Sequence, residues 1–152
     1  MCRPAAVPDI PGVAAIQAAA WPGDQHPPLE PQLADLYVAE AAGAPIGYGK
    51  LRHHPDPDGA PPGYYLAGVA VDPRWRRHGV GTKLTQCRLE VAWDKGAEIV
   101  YYFANARNRA SISMHEAMGF EELQRPFSFP GVTFDGGAGT GVLFGIRRAD
   151  HG

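Results

Sequence analysis

Val69-Ala-Val-Asp-Pro-Arg-Trp-Arg-Arg-His-Gly-Val-Gly-Thr-Lys-Leu84 decides how this chain is read. An apolar, strand-like run over residues 64–71 meets a proline turn, then a basic loop with two glycines, then a helix opening at Thr82 or Lys83. Such a junction delivers backbone N–H groups, a helix N-terminus and cationic side chains to one small volume, as gripping a pyrophosphate requires. Gly79 and Gly81 suit it because a residue without Cβ lets the backbone close onto a phosphate. Two common phosphate loops are excluded. Residues 79–84 lack the third glycine of a dinucleotide fingerprint, and no Gly-x4-Gly-Lys-Ser/Thr occurs anywhere. Taken alone, the segment also reads as an ordinary strand-turn-helix with an exposed basic turn.

Downstream comes Tyr101-Tyr-Phe-Ala-Asn-Ala-Arg-Asn-Arg-Ala-Ser-Ile-Ser-Met-His-Glu-Ala-Met-Gly-Phe120: a strand, an Asn-x-x-Asn segment, a helix and Gly-Phe. With Arg76-x-x-Gly79-x-Gly81 before it, the order resembles the core of the GCN5-related N-acetyltransferases, whose coenzyme A loop is written Arg/Gln-x-x-Gly-x-Gly/Ala. The resemblance covers residues 37–123 well and the ends loosely.

It implies an α/β (α+β) fold: a central mixed, mostly antiparallel sheet of about six to seven strands flanked by about four helices. The strands ending at Val71 and near Phe103 are expected to splay, with acetyl-CoA as co-substrate in the gap and no metal. The main chain of Val69, Ala70 and Val71 is expected to pair with the pantetheine arm as a pseudo-strand. The Val69 N–H would face the thioester carbonyl and stabilise an oxyanion. Arg76, Arg77, His78, Gly79, Val80, Gly81 and Thr82 would surround the pyrophosphate. Arg74 reads better as a solvated turn residue than as a contact to the ribose 3′-phosphate.

Asn105 and Asn108 are placed to meet pantetheine amides, which an amide side chain can both donate to and accept from. For Asn108, helix capping is an equal alternative. Ser111-Ile-Ser-Met-His-Glu116 resembles the Ser-Ile-x-Leu-His-Glu of a subset of small-molecule acetyltransferases. That places Ser111 and His115 at the cofactor and His115 as general acid toward the leaving thiolate; a partly buried, hydrogen-bonded helix histidine is the alternative. The general base is open. The family's strand glutamate corresponds to Tyr65, and residues 64–71 hold no carboxylate. Glu40, His53, His54 and Asp135 are the alternatives, with Glu40 carried forward as the catalytic candidate; orientation alone can lower a barrier by about 7–11 kcal/mol.

The 152 residues read as one domain, 1–152, with 45% hydrophobic and 20% charged residues, which is globular rather than disordered. A net charge of −2 argues against a general nucleic-acid binder, and no apolar run approaches a membrane-spanning length. Cys2 and Cys87 are too few for a disulfide framework and read as reduced thiols in a cytoplasmic protein. The Ala, Gly, Pro and Arg content fits a GC-rich bacterial genome.

Expected elements are a first strand over 1–6, a helix capped by Asp9 and ending at Ala20, and a short helix near 31–35. A hairpin around Gly43-Ala44 follows, then the strand over 64–71. The helix of about 81–95 carries Leu84, Cys87, Val91 and Ala92 inward and ends at Gly96. A strand over 98–103, a helix over 110–118 and strands over 121–129 and 140–147 complete the order.

The acceptor, a small amine, is expected near residues 21–30, 53–64 and 127–134, where aromatics (Trp21, Tyr64, Phe127, Phe129, Phe134) mix with acids. Rival readings are a non-catalytic acyl-CoA sensor and a protein N-acetyltransferase. By family analogy a homodimer is plausible.

Overall fold

Ala42 and Gly43 both have positive φ, 52° and 82°. Consecutive left-handed residues make the two-residue turn whose twist suits a β-hairpin, and it joins β2 (Leu36–Ala41) to β3 (Ala44–His54). The computed structural model describes residues 2–55, 60–129 and 140–148. Asp135, Phe134 and most of the glycine-rich segment after Phe129 lie outside them.

The chain divides into two compact units interleaved in sequence: residues 1–51 with 67–91, and 52–66 with 92–152. In the first, β1 (Cys2–Pro4) pairs antiparallel with β2, and β2 with β3 from Leu36↔Lys50 to Ala41↔Ala44. Helix α1 (Ile10–Ala20) carries Pro11 in its first turn, as expected. Asp9 precedes it but does not cap it through its side chain. That carboxylate instead accepts from both terminal nitrogens of Arg3 (2.7 and 2.8 Å) and from the Ala6 N–H (2.8 Å). A guanidinium outcompetes a frayed helix end for a buried carboxylate.

Strand β4 (Gly63–Val71) enters this unit at Ala67. Its side chains then alternate: Val69 and Val71 join Ala39, Val80 and Leu84, while Ala70 joins Val13, Ile16, Val38 and Tyr48. Both faces are covered, as the apolar run required.

Helix α2 (Val80–Asp94) begins slightly earlier than Thr82 and is followed by Gly96 at φ 93°. Leu84 and Ala92 are fully buried on its inward stripe as expected. Cys87 contradicts its expectation: it is disulfide-bonded to Cys2, not a free thiol. The two lie 85 residues apart in sequence, and only the docking of α2 near β1 brings their Cα atoms to 6.3 Å.

The second unit holds the start of β4, β5 (Ile99–Asn105), α3 (Arg109–Ala117), β6 (Glu121–Gln124) and β7 (Gly141–Arg147). Here β4 runs parallel to β5, from Tyr64↔Val100 to Leu66↔Tyr102. β7 pairs antiparallel with β5 along its length and also with β6. Ala60, Tyr65, Phe127 and Leu143 form the core beside Tyr101, Phe103 and Phe129. The strands are hydrogen-bonded in the order β1-β2-β3-β4-β5-β7-β6. This is the mixed, mostly antiparallel sheet that was expected; among the described residues its helices are three α-helices and three short 3-10 segments.

Candidate functional site

The loop between β4 and α2 is built by its backbone. Asp72 caps a 3-10 turn at Pro73–Trp75 by accepting from the Arg74 N–H at 2.9 Å. The Arg74 guanidinium folds back on the same carboxylate at 3.0 Å while remaining 84% exposed. That pairing holds the Asp72 carboxyl below its usual range. Arg74 is therefore a solvated turn residue, as favoured from the sequence.

After it, Arg77 (φ 66°) and Gly79 (φ 76°) are both left-handed. Arg77 pays the steric penalty of a Cβ in that region, whereas Gly79 avoids it. A side chain at Gly79 would meet nothing within 4 Å, so φ and not crowding selects glycine. The loop bends over onto α2, whose first regular bond runs from Lys83 N–H to Gly79 O. Helix geometry leaves the amides of Val80, Gly81 and Thr82 without intrahelical acceptors. Arg76, Arg77 and His78 are exposed around them. Free amides, a helix N-terminus and two guanidinium groups are a donor set that fits a pyrophosphate.

Upstream, β4 is interrupted at Gly68, whose φ of 49° breaks the extended backbone just before Val69. Such a kink re-aims neighbouring main-chain groups out of the regular ladder. Arg88 lies beneath it, 1% exposed. Its Nη1 donates to Lys50 O (2.9 Å) on β3 and Ala67 O (3.2 Å) on β4. Its Nε donates to Leu84 O (3.1 Å) and its Nη2 to Thr85 Oγ1 (3.3 Å). Burial away from water pushes this guanidinium down to about 10.

Gly49 makes room for it: a Cβ there would lie 2.7 Å from the Arg88 Cζ. A buried, multiply bonded cation thus holds the two carbonyls flanking the kink. The sequence reading missed Arg88, although its position four after Leu84, on the inward stripe, was a legible signal.

On the α1 side of this unit is an open hollow of about 460 Å3. Trp21, Asp24 and His26 from the loop after α1 line it, with Tyr48 and Lys50 from β3 and the Gly68 kink. Tyr48 is almost wholly buried, and that burial raises its phenol despite a hydrogen bond with Gln17. Of the expected acceptor segments, residues 21–30 contribute to an open cavity that also includes Gly68. In the second unit the aromatics pack on each other: His54 on Phe129 (4.8 Å between ring centres), His53 on Tyr64 (4.9 Å). Phe127 is 1% exposed. Phe127 is core, whereas His54, Tyr64 and Phe129 are half-buried and His53 is exposed.

Glu40, carried as a catalytic candidate, accepts from Arg3 Nε at 2.8 Å. It lines a separate cavity of about 200 Å3 with Trp75, His78 and Lys83, not the hollow that reaches Gly68. An ion-paired carboxylate away from the kink is poorly placed to take an amine proton.

The remaining expected residues lie in the second unit. Asn105 Oδ1 accepts from the Arg107 N–H at 2.8 Å in a local turn. Asn108 occupies the N-cap position of α3, yet its exposed side chain makes no cap hydrogen bond. That leaves its amide group open to a ligand and weakens the capping alternative. The Ser111 hydroxyl is bonded to the Tyr102 hydroxyl.

His115 has the packed, hydrogen-bonded surroundings that were one of its two expected readings. It is 1% exposed, stacked flat on Tyr102 (3.5 Å, 4°), edge-on to Phe120, and its Nδ1 meets Ser111 O at 2.8 Å. This is the environment of a packed helix histidine. A general acid must reach its proton acceptor within hydrogen-bond distance, and enclosure on this scale favours a positioning role.

Comparisons with known proteins agree with this architecture. The family model described as "Acetyltransferase (GNAT) family" matches residues 11–120. A mycothiol acetyltransferase of Thermomonospora curvata is 34% identical over 87 residues, which is 57% of this chain and 28% of that protein. The chain thus spans less than a third of that relative's length. Among solved structures, a ribosomal-protein-alanine N-acetyltransferase from Brucella melitensis superposes with a TM-score of 0.75. At 23% identity over 97% of this chain and 99% of that one, it shows the shared fold. AAC(6')-Iy, solved with a bisubstrate analogue of CoA and acetylneamine, gives a TM-score of 0.72 at 26% identity, covering 87% and 97% of the two chains.

Proposed function

The chain belongs to the acetyltransferase (GNAT) family, and on that premise we propose that it transfers an acetyl group from acetyl-CoA to a primary amine of a small molecule. The observation that carries this is the loop after β4: unpaired amides of the first turn of α2, a left-handed Gly79, and exposed Arg76 and Arg77 converge on one spot. Val69, Ala70 and Val71 offer main-chain groups to the cofactor, and the kink at Gly68 supports reading the Val69 N–H as a donor to the thioester. The family match takes in segments of both units, which supports reading residues 1–152 as one functional domain.

A small polar amine suits the acceptor side better than a peptide. The hollow beside Gly68 is short, about 460 Å3, and carries an acid, Asp24, able to attract an ammonium. Mechanistically the amine attacks the thioester carbon directly in a ternary complex. The Val69 N–H receives the developing oxyanion, and the helix end with its arginines holds the leaving group. No helix among the described residues is long and apolar enough to cross a membrane. Cytoplasmic residence stays part of the proposal and must accommodate the Cys2–Cys87 bond.

Calorimetry with CoA, followed by thiol release from acetyl-CoA over a panel of aminoglycosides, amino-acid analogues and polyamines, tests it. Heat with CoA and turnover with one amine class support it. CoA binding with no turnover on any amine would instead favour an acyl-CoA sensor.

A further inference from the structure

We propose that His26 is the catalytic base that takes the proton from the acceptor's ammonium, an assignment that rests on the acetyl-transfer reading above. Its Nε2 is shut off from solvent and has no hydrogen-bond partner among the described residues. A buried ring nitrogen left unpaired is costly, and such groups ask for an explanation. Here the explanation is a missing ligand. His26 and Gly68, the residue before Val69, line the same hollow.

The Trp21 indole lies against it at 6.2 Å between ring centres and a tilt of 57°, which limits how the imidazole turns. The other titratable groups facing that hollow are Asp24, Tyr48 and Lys50. Tyr48 is raised by burial and cannot act as a base near neutrality. Lys50 runs its stem along Gly68, and a protonated lysine has no lone pair to offer. Asp24 supplies charge attraction for the ammonium. Glu40, the carboxylate first considered, is held by Arg3 elsewhere. The His26 ring nitrogen without a partner is the group in this lining that a bound ligand would complete.

The step balances without another reagent. The acceptor enters as an ammonium; Nε2 takes one proton and frees the nitrogen lone pair. That lone pair forms the C–N bond at the thioester carbon, and the carbonyl π electrons move to oxygen beside the Val69 N–H. Collapse re-forms the carbonyl and breaks C–S, with the electron pair leaving on sulfur. The nitrogen's second proton passes to the thiolate, and His26 later returns its own to water. One amide, one thiol and one released proton result.

His26→Gln in the full chain tests this, with acetyl-CoA and an amine that the screen identifies. We expect kcat to fall about 100-fold, the usual reach of a positioned base, while CoA heat and the KM for acetyl-CoA stay at wild-type values. The loss should shrink at alkaline pH, and an acceptor whose amine is already neutral should restore most of the rate. Retention of kcat to within about twofold and an unchanged acidic limb would overturn the assignment while leaving acetyl transfer standing. Loss of rate that a neutral amine does not rescue overturns it too, as the mark of a merely structural histidine. Wild-type protein that binds CoA but acetylates no amine sinks the functional reading, and this one with it.

Discussion

The two strand-to-helix junctions of this chain look alike in sequence and are put to different use. After β4, the polar residues of the junction stay at the surface: Arg76, Arg77 and His78 are exposed around unpaired amides. After β5, Arg107, Asn108 and Arg109 are exposed as well, and the difference lies in the helix that follows, where Ser111 and His115 are engaged with Tyr102. The helices also differ in how they are fastened. α2 is held by a covalent bond at Cys87 and by the buried fan of Arg88. α3 is held by a histidine–tyrosine stack. A helix that opens on an exposed basic loop is anchored farther along, whereas α3 is anchored by the packing of its own side chains.

Reduction should separate the two most strongly. Opening a bond that closes an 85-residue span removes about 4.5 kcal/mol on the chain-entropy view, so Tm should drop sharply in reductant, and Cys87→Ser should abolish that sensitivity. An unchanged melt with and without reductant breaks the contrast.

Arg88→Leu comes next. It leaves the Lys50 and Ala67 carbonyls without their donor, at about 1–3 kcal/mol for each buried group left unpaired. Thermal unfolding and kcat should fall together, because the kink before Val69 loses its tether.

Replacing both Arg76 and Arg77 by Ala should weaken CoA by about 10- to 100-fold, with the melt untouched. Arg74→Ala is the control: an exposed pair folded on Asp72 should change CoA affinity by less than about twofold.

His115→Phe probes the closed junction. It keeps the stack and loses the bond to Ser111 O, so stability should fall by about 1 kcal/mol, with the pH profile of kcat unchanged. A lost basic limb would restore His115 as general acid.

The smallest effect concerns acid. The Asp72 carboxyl sits below its usual range because Arg74 donates to it. Its contribution is therefore complete above the unfolded carboxylate value, near 3.9, and disappears as pH falls through the lower folded value. Asp72→Asn should melt slightly below wild type at neutral pH and coincide with it in strong acid.

The strands were readable because their patterns are local: an apolar run for β4, a glycine at position 43 for the hairpin (expected at Gly43-Ala44, found at Ala42-Gly43), glycine after α2 and α3. The phosphate loop was readable for the same reason, since its glycines, arginines and helix start adjoin one another. His115 was legible as a residue, while its surroundings were not. Its motif says that a histidine points from α3, and only the Tyr102 ring says that it points into core.

Residue chemistry along the chain therefore set the element order, the basic loop and the absence of a carboxylate on β4. Tertiary structure decided which polar groups were covered: Arg88 slotting beside Gly49, Cys2 meeting Cys87, Arg3 drawing Asp9 and Glu40 together, and His26 left with an unmet nitrogen. The reason is range. Propensity and periodicity act over one or two turns, whereas the partner of a buried polar group is chosen by whichever distant segment the packed core brings alongside it.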